Sequence, residues 1–377
     1  MEIDLTNITI DGFRFIENLQ TTARQLIVCS EIIKQLNNKQ LPKKVLEELL
    51  VKWSSNEELK NPTYRDSKGK VTNGGKKTAA LRYYFALSES LGLTKGFNNV
   101  YMNTNISYTL LYFLAAEQSE NSGTLGLYEK LFYCYQLLNV DADGIMLLLG
   151  QLADSEGKTQ KSLQSEFKDA LNERLVLKGE LASTSIKSVI NNKFRAINYV
   201  WKSPEIYAEH IIAPRYEWLA TLELVSIKRG KKFTYYSLSD KGRDFYNLIP
   251  TVEGKGSFKD ISEKWLSNFF FYLMGNVFYD KNRTNYYMLS DEIKDLELGR
   301  ALERASKAVK SSISSKLPLI NTYIFICIDL FVNRDIVINF SELYEKLKPG
   351  FTYNMKSYLP KVTGRINESY ITIALQK

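Results

Sequence analysis

Residues 211–249, IIAPRYEWLATLELVSIKRGKKFTYYSLSDKGRDFYNLI, constrain the fold more than any other part of this chain. Their apolar pattern changes period twice. From Ile212, the residues Tyr216, Leu219 and Leu222 recur at intervals of four, three and three, which is one stripe of a helix. Pro214 falls in the expected first turn, where its missing N–H costs little. Arg215, Glu217, Trp218 and Thr221 fall on the opposite face. Residues 225–227 then turn β-like, Lys228, Arg229, Gly230, Lys231 and Lys232 follow, and residues 233–238 alternate toward strand. Gly230 is expected to supply the positive φ of a tight hairpin turn. Ser239 or Asp240 can cap the next helix. The predicted order is helix, strand, basic turn, strand, helix.

That order, with the helix start Ser239-Asp240-Lys241-Gly242-Arg243, resembles the winged helix-turn-helix family. Helices between Ser183 and His210 would complete the unit upstream. The resemblance implies duplex DNA as the partner. In that family the helix before the wing enters the major groove and the wing touches phosphate. The matching positions are Arg215, Trp218 and Thr221 for the helix, and Lys228, Arg229, Lys231 and Lys232 for the wing. Four cations in five residues repel one another unless a polyanion offsets them. A solvated hairpin with a basic tip is the plain structural alternative.

Two other regions carry weaker versions of this pattern. Residues 41–53 read as an amphipathic helix, a polar loop rich in Gly and Lys spans 61–77, and 78–91 read as a helix burying Leu81, Tyr84, Phe85 and Leu91. Gly92 suits the position after that helix, a strand is expected over 100–106, and Ser107 can cap the next helix. Lys76, Lys77, Thr78 and Arg82 sit where a reading helix would begin. Near the C-terminus, a strongly apolar helix is expected over 319–333 and a β run over 336–338. A helix capped by Ser341 follows over 341–347, then a Pro349-Gly350 turn, a short helix over 353–359, and a final strand pair over 361–365 and 369–375. Asn354, Lys356, Lys361 and Arg365 are the candidate contacts there.

The chain has 377 residues, a net charge of +8 and 44% hydrophobic residues, which suits two or three globular domains and favours a polyanionic partner. Lysine outnumbers arginine 36 to 14. Lysine works mainly as a point charge, so much of the positive charge suits phosphate attraction without base reading. Cys29, Cys134 and Cys327 lie far apart with no CxxC pair, and read as buried reduced thiols of a cytoplasmic protein. The most apolar run, residues 323–332, is too short to span a bilayer and contains Asp329, so no membrane association is expected.

Enzyme signatures are sparse. One histidine, His210, excludes a His-rich zinc site and suits a structural or phosphate-contacting role. The run Asp141-Ala142-Asp143-Gly144 is similar to a calcium loop, but Leu152 stands where the acidic ligand belongs. No Walker A or GxGxxG motif occurs, and no cofactor is expected. Two stretches offer an Asp followed by Glu-x-Lys: Asp154 with Glu166 and Lys168, and Asp280 with Glu292 and Lys294. A metal-dependent nuclease would need both side chains to converge on one metal. Both pairs fall in helical patterns, where residues two apart diverge by about 200°.

The expected architecture is α+β and mostly helical, with two or three winged modules joined by helical spacers. Its divisions fall at 1–120, 121–252 and 259–377, and residues 251–259 form the linker. The expected function is duplex DNA binding without catalysis and without a bound metal. Such an organisation resembles plasmid and phage replication initiators and the recognition portion of type IIS restriction enzymes. That resemblance implies a microbial defence or mobile-element setting, with a nuclease or ATPase as system partner. An alternative of another class is a protein-interaction scaffold, as in the winged domains of condensin-type complexes.

Overall fold

The computed structural model describes residues 10–17, 19, 21–116, 124–278, 283–309, 316–363 and 369–375. The fold is α+β and mostly helical, as the periodicity predicts, and among the described residues its sheets have two to four strands. It divides into two compact units, each assembled from separated stretches. Met1–Cys29, Leu50–Leu91 and Tyr133–Leu266 form the first, and Ser30–Leu49, Gly92–Phe132 and Ser267–Lys377 the second. This partition by compactness differs from the partition by chain order expected at 120 and at 252–259. None of the described helices is long and apolar enough to cross a membrane.

Three sheets share one strand order. In each, a short strand follows one helix, precedes another, and later pairs with the last strand of a hairpin. Lys158–Thr159 pairs with Thr234–Leu238, which pairs with Val225–Arg229. Leu41–Pro42 pairs with Val100–Asn103, which pairs with Thr94–Phe97. Lys316–Pro318 pairs with Tyr370–Leu375, which pairs with Lys356–Lys361, and Phe351–Tyr353 adds an edge.

The first unit is built around the helix Pro204–Thr221. It begins ten residues earlier than Pro214, so that proline is interior and buried and does not lie in the first turn. The residues from Ile211 to Leu219 are buried on every side. A stretch with no exposed face is core. Tyr216 stacks on Tyr236 of the hairpin with centroids 4.5 Å apart, and Trp218 donates from Nε1 to the Ala23 carbonyl at 2.9 Å. Beyond the hairpin, Ser239 caps Asp240–Leu248 by accepting from the Gly242 N–H at 3.0 Å. Gly242 is required by contact: a Cβ there would sit 1.9 Å from the Leu224 carbonyl oxygen.

Residues 251–259, expected as a linker, instead form a hairpin, with Thr251–Glu253 pairing antiparallel to Ser257–Lys259. Its two glycines are small for a packing reason, since a Cβ on Gly254 or Gly256 would press on Leu181 or Leu177 at 3.4 and 3.0 Å. The helix Leu127–Ala153 is kinked at Asp141, whose φ and ψ are −138° and 24°.

The second unit centres on Leu319–Arg334, whose Phe325, Ile326, Ile328 and Leu330 are fully buried. Asp329 on that helix is buried too and pairs with Arg304 at 2.5 Å. The helix that follows is Phe340–Leu347. Asn339, not Ser341, caps it, in a reciprocal box with Glu342. Residues 353–359 are not helical: Phe351–Tyr353 and Lys356–Lys361 form a hairpin. Asn354 and Met355, at φ 44° and 60°, make its two-residue turn. Helical spacing was available to this segment, but pairing with the final strand satisfies its backbone instead. Cys29, Cys134 and Cys327 are free and buried.

Candidate nucleic-acid interface

The basic hairpin of the first unit joins Val225–Arg229 to Thr234–Leu238 with Lys228 opposite Tyr235 and Arg229 opposite Thr234. Alternation sends Val225, Tyr236 and Leu238 into the core and leaves Ser226, Lys228 and Tyr235 exposed. The first strand runs two residues further than expected, so Lys228 and Arg229 belong to it and not to the turn. Gly230 to Phe233 close the hairpin, through a Gly230 N–H to Phe233 carbonyl bond of 2.9 Å. Gly230 does not take a positive φ; a Cβ there would crowd the Phe233 oxygen at 3.1 Å. Lys228, Arg229, Lys231 and Lys232 are all exposed. Arg229 reaches back to Glu217 at 2.7 Å. Lys231 and Lys232 have no ion-pair partner among the described residues. The exposed Phe233 and Tyr235, 52% and 48% accessible, lie among these cations.

The helix positions assigned to base reading behave differently. Arg215 is fully buried and clamps Asp141 through Nη2 to Oδ1 at 2.6 Å and Nε to Oδ2 at 2.7 Å. Trp218 is fully buried as well. Thr221 is half-buried, with its hydroxyl donating to the Glu217 carbonyl at 2.8 Å. Arg215 and Trp218 therefore cannot reach a groove. The stripe of Tyr216, Leu219 and Leu222 correctly marks one buried face. A second buried face, polar in composition, is covered by residues around Ile16 and by Thr21 to Arg24.

That cover rests on a buried charge network. Arg174 contacts Asp143 and Asp260 at 2.7 Å each, and Lys178 contacts the same two carboxylates at 2.9 and 3.1 Å. With Arg215 and Asp141 this makes three cations and three carboxylates. The kink at Asp141 turns both aspartates toward the N-terminal segment. Asp143 accepts from the Arg14 N–H at 2.7 Å and Asp141 from the Ile16 N–H at 2.8 Å, while Arg215 donates to the Ile16 carbonyl at 2.8 Å. Gly144 makes room for the guanidinium: a Cβ would lie 2.5 Å from the Arg215 Nε. Burial pushes the Asp141 carboxyl above its ordinary value, against the opposing pull of Arg215. Burial pushes Asp143 up too, but Arg174 and Lys178 outweigh it and hold that carboxyl below the usual range. The Asp-Ala-Asp-Gly run is thus a structural clamp. His210 has a structural contact of its own, with Nδ1 and the Thr21 hydroxyl 2.8 Å apart.

The remaining predicted residues are dispersed. Lys76 and Lys77 are exposed on a small strand pairing with Thr72–Asn73, closed by Gly74 and Gly75 at φ 57° and 75°. Thr78 is turned inward and donates to the Lys70 carbonyl at 2.7 Å. Arg82 is exposed and lies over the Tyr83 ring. In the second unit, Asn354 donates to Glu303 at 3.2 Å and Lys356 approaches the same carboxylate at 3.7 Å. Lys361 is exposed, and Arg365 lies outside the described residues. Glu166 is held by Lys158 at 2.6 Å and by Ser162, and it shares the helix Gln160–Leu181 with Lys168. Glu292 and Lys294 share Asp291–Ala308, and Asp280 lies outside the described residues. Among the described residues, no group of three or more His, Cys, Asp or Glu could hold a metal ion.

Helices are expected between Ser183 and His210, but the pattern singles out no contact residue on them; one of them is Thr184–Val200, joined to Gln160–Leu181 by Ala182 and Ser183 alone. Of its residues, only Ile190 and Ile197 are fully buried. The signal was present: Ile186, Ile190, Phe194 and Ile197 recur at intervals of four, four and three, while Lys187, Ser188, Asn191, Asn192 and Arg195 fall elsewhere on the helix. No protein-family model, curated protein or solved structure matches the chain.

Proposed function

We propose that this chain is a duplex-DNA-binding protein without catalytic activity of its own, built from winged helix-turn-helix modules. The carrying observation is the exposed cation cluster at Lys228, Lys231 and Lys232, at and beside the tip of a hairpin anchored in the core by Tyr236 and Leu238. A rigid hairpin holding uncompensated cations outward favours a polyanion, and displaced counterions supply the free energy. The strand order common to three sheets supports the modular reading, because a short strand beside the last hairpin strand is how a winged module closes its sheet. The net charge of +8 agrees in sign. A role as the recognition component of a restriction-like defence or mobile-element system rests on the resemblance alone.

The test is selection from random duplex DNA with sequencing, at two salt concentrations. An enriched motif supports a sequence-specific reader. Salt-sensitive binding without a motif makes the protein a non-specific clamp. Absence of binding at low salt overturns the DNA reading. One observation favours the scaffold alternative in that event: Val189, Val200 and Ile206 are exposed at 60%, 60% and 57%.

A further inference from the structure

We propose that the Thr184–Val200 helix, rather than Pro204–Thr221, reads base edges in the major groove, through Asn191, Asn192 and Arg195. This rests on the DNA-binding reading and assigns its specificity.

The helix is presented and held at once. At 100° per residue, Thr184, Ser188, Asn191, Asn192, Arg195 and Tyr199 fall within an arc of about 100°, and Ile190 and Ile197 fall opposite. Those two isoleucines are buried, while the six residues of the arc are exposed. Gly179 on the preceding helix allows close packing, since a Cβ there would touch Ile190 at 3.4 Å. Asn198 and Asn172 exchange amide bonds of 3.1 Å in both directions, which fixes rotation about the axis. On the flank, Lys193 is tied to Glu17 and lies near the Phe15 ring. A helix locked on one side presents the other at little entropic cost.

Its chemistry fits one occupant. Lys187, Lys193 and Arg195 are cationic and no residue of the helix is acidic. With Lys193 paired to Glu17, Lys187 and Arg195 carry the charge that complements a polyanion. Asn191, Asn192 and Arg195 have no side-chain hydrogen bond or ion pair among the described residues, so their donors and acceptors remain available. Asparagine pairs with the N6 and N7 of adenine, and arginine with the O6 and N7 of guanine. Ala196 and Val189 border the arc and suit a thymine methyl. A helix about 10–12 Å across fits a major groove about 12 Å wide. The hairpin and the helix then divide the work: lysines attract any duplex, and amides with a guanidinium choose among them.

The experiment repeats the duplex selection with the full chain and with Asn191→Ala/Asn192→Ala, Arg195→Ala, Arg195→Lys and Lys231→Ala/Lys232→Ala variants. Thermal melts confirm folding, which these exposed positions leave intact. The helix variants are expected to keep salt-dependent binding to random duplex and to lose discrimination by about ten- to a hundredfold at individual motif positions. Arg195→Lys should retain the salt slope and still lose the guanine preference. The hairpin variant should weaken all sequences alike. An unchanged motif in all helix variants overturns the assignment while DNA binding stands. Wild-type binding without any motif also overturns it. No duplex binding by the wild type overturns the DNA reading itself, and the assignment with it.

Discussion

The Arg215 guanidinium donates to both oxygens of the Asp141 carboxylate, at 2.6 and 2.7 Å, and neither side chain is reached by solvent. The pair joins residues 74 positions apart and fastens the N-terminal segment through Ile16. It is therefore a structural lock, placed on the helix that local pattern marks out for base reading.

Removing one half of this lock strands a buried charge. Arg215→Ala is expected to destabilise the fold by about 3–5 kcal/mol, as breaking buried pairs does. Asp141→Asn combined with Arg215→Met, which leaves no unpaired charge, should recover part of the loss. Urea unfolding of the single and double variants measures both. An Arg215→Ala variant as stable as wild type contradicts the lock.

Acid should act on Asp143 in a defined direction. Its carboxyl is held below the ordinary value, because Arg174 and Lys178 outweigh burial. The unfolded chain then takes the proton first. The stabilisation is complete above the ordinary Asp value of about 3.9 and is lost as pH falls through the lower folded value. Asp141, raised by burial, works in the opposite sense: its contribution declines as pH rises from the ordinary value through the raised one. Asp143→Asn should flatten the acid limb of stability below about pH 4, and Asp141→Asn should not. Denaturant midpoints taken across that range decide it.

Glycine at 242 is a helix position where propensity and packing disagree. Propensity alone favours alanine by about 1 kcal/mol. The Leu224 carbonyl oxygen, 1.9 Å from the would-be Cβ, is backbone and cannot swing aside. Gly242→Ala is expected to destabilise by about 1–3 kcal/mol, the range for overpacked sites. A raised melting temperature would refute this close approach as the reason for glycine.

Lys231→Ala/Lys232→Ala should lower the slope of log affinity against log salt by about two units, close to one for each phosphate no longer neutralised. Stability should stay within about 0.5 kcal/mol, as for other surface substitutions. Trp218→Phe provides the converse control. It removes the buried donor to the Ala23 carbonyl, so it should cost about 1–3 kcal/mol of stability and leave the salt slope of the folded protein unchanged. Titrations at several salt concentrations, alongside melts, separate the two.

Much of the local structure was readable residue by residue. Ser239 caps its helix, Gly92 takes the positive φ of 66° after Leu91, and Leu81, Tyr84 and Phe85 are buried. The basic hairpin lies where alternation places it. The misreadings fall where local signals are ambiguous. Polar residues with two glycines at 251–259 describe a linker and a hairpin equally well, and packing against Leu177 and Leu181 decides between them. Helical spacing over 353–359 yields to strands once residues 370–375 are alongside.

Sequence alone determined many of the element types and ends, because caps, glycine conformations and apolar period act over a few residues. It also determined that cations collect at one hairpin. Tertiary structure alone decided which helix is core and which is open. Periodicity identifies one apolar stripe but is silent on a second buried face made of Arg215, Glu217 and Trp218. Such a face is stable only when distant groups satisfy it, as Asp141 satisfies Arg215 and the Ala23 carbonyl satisfies Trp218 across 195 positions. Those partners are brought together by folding, and no local pattern encodes them.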